Sequence, residues 1–281
     1  MAVTVPTDPG NAELFLIEFG YLPAEAAKDP AAFERAVAAA QGYYGLPETG
    51  HWDAATNRKI LGAPRCGCSD VQRASAAAGF WGIKDLTYAI QRRPDAPGLS
   101  PAAFDDAVAR AFSAWSACCG VVFTRTDSPQ ANLLLSIGRG SRAGFDGPSG
   151  TLAYAYLPPQ PGFAGQLQML YDNDEPWAVD GNPAGIDVET VSCHEFGHFL
   201  GFDHDPTPGQ LMYAIYDPRI NSPQSNDRAR AASVYGGPRN RPVPPVVPVQ
   251  PPGGKHSVEI MLRLDGVVSG PHVLDLNKRP S

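Results

Sequence analysis

The chain has 281 residues, enough for one large or two modest domains. Apolar residues make up 43% and charged residues 18%, which supports a buried core and excludes a wholly disordered chain or a coiled coil. A formal net charge of −7 gives no electrostatic footprint for nucleic acid, and no apolar run is long enough to span a membrane. Residues 1–10 lack the basic and apolar regions of a signal peptide, so the chain is either intracellular or has a start Met in place of a removed leader. The cysteines number five (Cys66, Cys68, Cys118, Cys119 and Cys193), so at least one thiol is free or bound to something else.

Residues 1–78 read as helical, with no strand pattern. Phe33, Ala36, Val37 and Ala40 share a helical face, and a second short helix follows Trp52-Asp53 as far as Leu61. Residues 79–237 alternate strands and helices. Leu86–Ile90, Val121–Arg125 and Asn132–Ile137 read as strands, and Gly150–Leu157 as an edge strand ending at Pro158-Pro159. Ser100 caps a helix that opens on Pro101 and buries Phe104, Val108, Ala111, Phe112 and Trp115. Residues 238–254 hold seven prolines and read as an extended linker. The tail, 255–281, offers strands at Val258–Leu264 and Val273–Leu276 but is too short for a core of its own. A truncated domain, a swapped strand pair and a disordered tail all remain open for it.

The chemistry concentrates at residues 194–204, His-Glu-Phe-Gly-His-Phe-Leu-Gly-Phe-Asp-His. On a helix His194 and His198 lie one turn apart on one face and reach a single metal. Gly201 can take positive φ, end the helix and let the chain turn so that His204 supplies a third nitrogen. Three imidazoles with one open position form the catalytic zinc arrangement rather than the closed structural one. Zinc there lowers the pKa of its bound water to about 7, and Glu195 takes that proton and passes it to the leaving amine. A chance match to five fixed positions has odds of about one in ten thousand. Every histidine between 79 and 237 belongs to this motif, the others being His51, His256 and His272.

This motif, followed by Leu211-Met-Tyr213, resembles that of the metzincin proteases, which carry a methionine-bearing turn beneath the metal. Met212 alone would read as a core gap-filler; its distance from the motif favours the turn. Within that clan, residues 12–237 resemble a matrixin (matrix metalloproteinase) zymogen. Pro64-Arg-Cys-Gly-Cys-Ser-Asp70 is similar to the cysteine-switch segment PRCGxPD of that family. The resemblance implies an α+β fold: a small helical pro-domain (1–78, similar to peptidoglycan-binding modules, with the switch at 64–70), then a catalytic domain (79–237) with a mixed, mainly parallel twisted sheet. It implies that Cys66 occupies the fourth zinc position in a latent enzyme, with Cys68 as the alternative ligand, and that Arg65 and Asp70 pair to hold the loop. It further implies that Leu152 and Ala153 lie on an edge strand that pairs with peptide substrate. Residues 213–225 would wall the specificity pocket. The implied setting is secreted or extracellular, with a cut near Arg73 as one route of activation.

The chain also departs from the family. Where matrixins hold a structural zinc through three His and one Asp, this sequence aligns Arg139, Ser141, Tyr154 and Leu170. Asp146, Asp172 and Glu175 match the carboxylates of the neighbouring calcium site, with the backbone oxygens of Gly147, Ser149 and Thr151 as the remainder. Asp205, where Ser is usual, is shared with adamalysin-type relatives. Two other readings compete with the latent endopeptidase: a catalytically silent binding relative, and a cell-wall protein whose N-terminal segment binds peptidoglycan. Retention of Glu195 with all three histidines opposes the first, and the switch following directly on the helical segment opposes the second. The lost ligands predict one tightly held zinc per chain; a metal titration that finds two would show these positions to be misaligned.

Overall fold

The computed structural model describes residues 9–71 and 79–239, together with four short strands between 258 and 274. The described residues through Arg239 belong to one compact unit, and those from 240 onward to another. Most of the proline-rich stretch and Arg73 lie outside the described residues.

The first segment is helical, with α1 (Pro9–Glu18), α2 (Pro30–Tyr43) and α3 (Ala54–Ile60). The Asp29 carboxylate accepts from the Ala31 amide at the start of α2, and the Asp53 carboxylate from the Thr56 amide at the start of α3, each satisfying a donor the helix cannot. Phe15, Leu16, Phe19, Leu22, Val37 and Ile60 form the shared core of this segment.

The chain then enters a six-stranded sheet through a two-residue strand, β1 (Arg65–Cys66). This strand corrects the expectation that nothing before residue 79 is extended. Two residues carry no periodic signal, and the edge they join comes from residues 86 and 87 positions downstream, since Arg65 pairs with Thr151 and Cys66 with Ala153. Beyond it lie β2 (Phe80–Trp81), β3 (Asp85–Ile90), β4 (Val122–Arg125), β5 (Leu133–Gly138), β6 (Thr151–Ala155), β7 (Pro161–Phe163), β8 (Leu167–Asp172), β9 (Trp177–Ala178) and β10 (Ile186–Asp187). The main sheet runs β1-β6-β8-β5-β3-β4. Its neighbours are parallel except β6 against β8. β8 went unread in the sequence because Gln, Met and Leu carry little β-propensity; burial between β5 and β6 decides it. β6 is shorter than expected. It is also internal, because β1 covers what would otherwise be the edge of the sheet.

Helix α4 (Pro101–Ser116) is capped by the Ser100 hydroxyl, which accepts from the Ala103 amide. It buries Phe104, Ala107, Val108, Ala111, Phe112 and Trp115. Its partner is α5 (Val188–Phe199), and the Phe112 and Phe196 rings stack with centroids 3.6 Å apart. From Val188 to Phe199 every residue of α5 except Glu189 is buried, so this helix has no solvent face. Helix α6 (Ser225–Tyr235) closes the unit, and its Tyr235 hydroxyl donates to the Leu200 carbonyl just past α5. No described helix is long and apolar enough to cross a membrane.

In the tail, Val258–Ile260 pairs antiparallel with His272–Leu274, and Arg263–Leu264 with Val267–Val268. Of the strand expected at 258–264, only 258–260 and 263–264 are described, and the end of the one expected at 273–276 lies outside the described residues.

Candidate active site

Asp187 caps α5 by accepting from the Thr190 amide, and the helix carries His194, Glu195 and His198 on two successive turns. Gly201 follows at φ +88°, in the left-handed region where glycine is unstrained, and the chain reverses to bring His204 back. The ring nitrogens divide into two sets. His194 Nδ1 donates to the Leu211 carbonyl at 2.7 Å, His198 Nδ1 to the Phe202 carbonyl at 2.7 Å, and His204 Nδ1 to an Asp70 carboxylate oxygen at 3.1 Å. With every Nδ1 proton committed, the three Nε2 atoms are bare acceptors.

These acceptors converge. His198 Nε2 and His204 Nε2 are 3.3 Å apart, and Cys66 Sγ is 3.4 Å from His198 Nε2. Cys66, His194, His198 and His204 each present one ligand atom within 4.8 Å of the other three, all four residues being buried. His194 Nε2 has no protein partner. Burial and the neighbouring His204 hold the His194 pKa down to about 3, and burial with the other two rings holds His198 well below its ordinary value. Preoriented imidazoles beside a thiol are the donor set of a tetrahedral zinc, and this buried convergence of ring nitrogens fits a cation. Cys68, Cys66, Glu195 and His198 form a second, overlapping group. All five cysteines are free.

Glu195 is 1% exposed, and its Oε2 has no partner. Burial pushes its carboxyl up to about 8, against contacts with Cys66 and the Ala155 backbone that lower it. Met212 is fully buried below α5: a Cβ placed on Gly197 would lie 2.2 Å from Met212 Sδ, so the helix can sit this close only with glycine there. The Met212 turn is itself held by Asp227, whose carboxylate accepts from the Leu211 and Met212 amides at 2.9 and 3.3 Å.

A cavity of about 440 Å³ opens beside His194 and Glu195, lined by Arg65, Cys66, Leu152, Leu211 and residues 213–220. Leu152 and Ala153 are buried in β6, alongside β1. The Cys66 amide donates to the Ala214 carbonyl, and the Gly67 amide to the Ala153 carbonyl. Segment 64–67 thus lies in the cleft as an extended peptide held from both sides.

Two comparisons with known proteins bear on this geometry. Residues 80–236 match the family model "Matrixin", and residues 7–60 match "Putative peptidoglycan binding domain". The chain belongs to the matrixin family. Matrixins are zinc metalloendopeptidases, and relatives of this chain include matrix metalloproteinase-27 of Homo sapiens, 33% identical over 82% of the chain and 44% of the relative. Matrix metalloproteinase-20 of Homo sapiens is 37% identical over 63% of the chain and 36% of the relative. Interstitial collagenase of Bos taurus is 35% identical over 75% and 44%. The chain therefore spans less than half the length of these curated relatives.

In this matrixin the loop at 64–70 is anchored by the Arg65–Asp70 pair together with tyrosines the sequence did not single out. The Asp70 carboxylate accepts from Tyr21 at 2.9 Å, from Tyr44 at 2.8 Å, from His204 and from the Arg65 guanidinium, which also reaches the Tyr44 hydroxyl. The Arg65 guanidinium lies 3.6 Å from the Phe19 ring centroid, a cation–π contact. Burial alone would raise Asp70, but Arg65 and His204 together hold it down to about 2. Tyr43 stacks on Tyr213 of the cavity wall, centroids 5.7 Å apart. They come from separate segments, and no periodic signal in the sequence joins them.

The positions aligned with the family's structural-zinc ligands make other contacts here. Arg139 pairs with Asp174, the Tyr154 hydroxyl donates to the Ala143 carbonyl at 3.0 Å, Ser141 sits in a short 3-10 turn, and Leu170 lies in β8 opposite Tyr154. Asp146, Asp172 and Glu175 lie near one another without forming a tight three-ligand cluster among the described residues. Each spends one oxygen on a backbone amide: Asp146 on Thr151, Asp172 on Asp174, and Glu175 on Ser149 of the other loop. Asp172 Oδ2 and Glu175 Oε2 are buried with no partner.

The side chains of Arg65 and Asp70 are 5% and 0% exposed. Asp70→Asn leaves that guanidinium without its counter-charge and should lower stability by about 3–5 kcal/mol. The expected result is a lower urea midpoint with new protease cuts within 9–71. An unchanged midpoint would show that the tyrosines alone hold the loop.

Proposed function

We propose that this chain is a latent zinc endopeptidase in which His194, His198 and His204 hold one zinc and Cys66 fills its fourth position. The observation that carries this reading is the meeting of three bare Nε2 atoms and one thiol in a dry cleft where each imidazole is already oriented by a carbonyl or carboxylate. Zinc in that site supplies a water acidified to a pKa of about 7 and polarises a scissile carbonyl. Glu195 stands beside the cleft with one oxygen unspent and a pKa raised toward that of such a water, which suits it to take a proton and hand it to the leaving amine. Met212 and Asp227 support the site from below without touching substrate.

Substrate is a peptide in extended conformation. The groups that segment 64–67 now occupies, the Ala153 and Ala214 carbonyls, are the ones an incoming strand would use, with Leu152 and Ala153 on the pairing strand. A side chain beyond the scissile bond would enter the 440 Å³ cavity walled by 213–220. Residues 1–78 act as an intramolecular pro-domain whose cut or displacement uncovers the site. Their aromatic face is spent on Arg65, Asp70 and Tyr213, which favours this role over binding peptidoglycan. A secreted or extracellular setting is part of the same reading, by analogy with the family.

Calcium is the second ion. Two buried carboxylate oxygens without partners, from Asp172 and Glu175, face a loop that holds Gly147 at φ +89° and Ser149 at φ +73°, and hard oxygen donors on such a loop suit calcium. The structural zinc is absent on this reading, its place taken by the Arg139–Asp174 pair and the Tyr154 contact.

Glu195→Ala should keep one zinc per chain and lose about 100-fold or more of peptide cleavage after a cut near residue 75. Cleavage at the wild-type rate would remove Glu195 from the mechanism, and a wild type that binds zinc but stays inactive after the cut would favour the silent binding relative. Calcium gives a separate test. Burial, with Asp172 and Asp146, raises Glu175 to about 7, so its contribution to stability without calcium is full near pH 4 and is lost as pH rises through about 7. Added calcium should therefore raise the melting temperature more at pH 8 than at pH 5; an equal effect at both would detach calcium from Glu175.

A further inference from the structure

The segment across the cleft contains a second thiol that the latent arrangement does not use. Cys68 lies just past β1, half-exposed, while Cys66 is buried. Their sulfurs lie within 4.8 Å of each other, in the group that also includes Glu195 and His198. The Cys68 amide donates to Cys66 Sγ at 3.2 Å, and the Cys68 thiol to the Ala155 carbonyl at 3.3 Å. Between them Gly67 has no room for a side chain, since a Cβ there would lie 2.6 Å from Thr151 Cγ2. The two cysteines therefore flank bare backbone, and Cys68 has left the strand ladder, so its sulfur can swing toward Cys66 at the loss of one weak hydrogen bond.

We propose that Cys66 and Cys68 form a dithiol–disulfide switch that opens the site by oxidation, with no peptide bond cut. This rests on the reading of Cys66 as the group that closes the metal site. The oxidant is a low-molecular-weight disulfide. Cys68, the more accessible of the two sulfurs, loses its proton to solvent as it attacks one sulfur of the oxidant, forming a mixed disulfide and releasing one thiolate. The Cys66 thiolate then attacks Cys68 Sγ, forming the Cys66–Cys68 bond and releasing the second thiolate. Two electrons pass to the oxidant, and the two cysteine protons end on the two thiols released. A disulfide sulfur carries no thiolate charge, and closing the sulfurs to bonding distance draws Cys66 off the metal position. A ring spanning only three residues is strained and easily reduced, as a reversible switch requires.

The test uses the full zinc-loaded chain in a series of glutathione redox buffers. Three quantities are followed: initial peptide cleavage while gels show the chain uncut, zinc content, and the mass of the tryptic peptide 66–73 after free thiols are blocked. The mass series is repeated in Glu195→Ala, where self-cleavage cannot intervene. The expected result is a peptide lighter by two hydrogen atoms, zinc unchanged, and activity rising at the same redox midpoint and falling again with dithiothreitol. Cys68→Ser should stay latent through the whole series. Oxidative activation of Cys68→Ser equal to wild type, or a glutathione adduct or sulfinic acid in place of the internal bond, would overturn the switch. Cys66→Ala separates the two readings. If it is folded, zinc-loaded and inactive after a cut near residue 75, the zymogen reading itself falls. If it is active uncut while disulfide-bonded wild type stays latent, the disulfide switch alone falls.

Discussion

Three imidazoles forced to point ring nitrogens at one another in a buried cleft set the terms for the rest of this structure. Like partial charges at 3.3 Å are tolerated in a dry cleft only when a cation answers them. Much of the surrounding fold serves to hold that arrangement. Helix α5 is buried on all sides, because its two histidines must sit away from solvent while its other faces pack on α4 and the sheet. Gly197 lets the Met212 sulfur come under the helix, Gly201 lets the chain double back, and Asp227 fixes the turn that carries Met212.

The segment before residue 71 solves a related problem from the other side. An uncovered β6 would be an open sheet edge beside a reactive site, and β1 covers it with two residues. So short a strand gains little from pairing, so its hold comes from the buried charge cluster next to it. Asp70 joins Arg65, two tyrosines and His204 in one network. One carboxylate thereby orients a metal-site ring and anchors the peptide in front of it, which couples the closed cleft to the geometry of the third histidine.

The centre of the site could be read from the sequence because its spacing is local: His194, Glu195 and His198 sit on successive turns, and Gly201 marks where the chain must turn. Helix α4 was equally legible through its Ser100 cap, Pro101 and one apolar face. The covering strand and β8 were not. β1 exists because an edge formed far downstream accepts it, and Gln-Met-Leu in β8 becomes a strand through burial between two others. The tyrosine clamp was hidden for the same reason, since Tyr21, Tyr44, Arg65, Asp70 and His204 come from separate segments and meet only in the folded chain. Arg65 and Asp70 were recognisable through resemblance to a family motif, whereas the tyrosines have no such marker.

The loop from 138 to 156 shows how one interaction can stand in for another. On the one-zinc reading, a guanidinium at 139 paired with Asp174 supplies positive charge near Asp172, where it lowers that carboxyl against its burial. The Tyr154 ring packs against Phe145 at 5.5 Å while its hydroxyl holds the Ala143 carbonyl, so the loop is pinned by side chains of its own. That pair is half open to water, with Arg139 60% exposed, and an exposed ion pair contributes about 0–1 kcal/mol. It is too weak to replace a bound metal by itself. On the reading proposed above, the unspent oxygens of Asp172 and Glu175 therefore carry more than they would where a second zinc shares the load, with calcium as the main tie between this loop and β6.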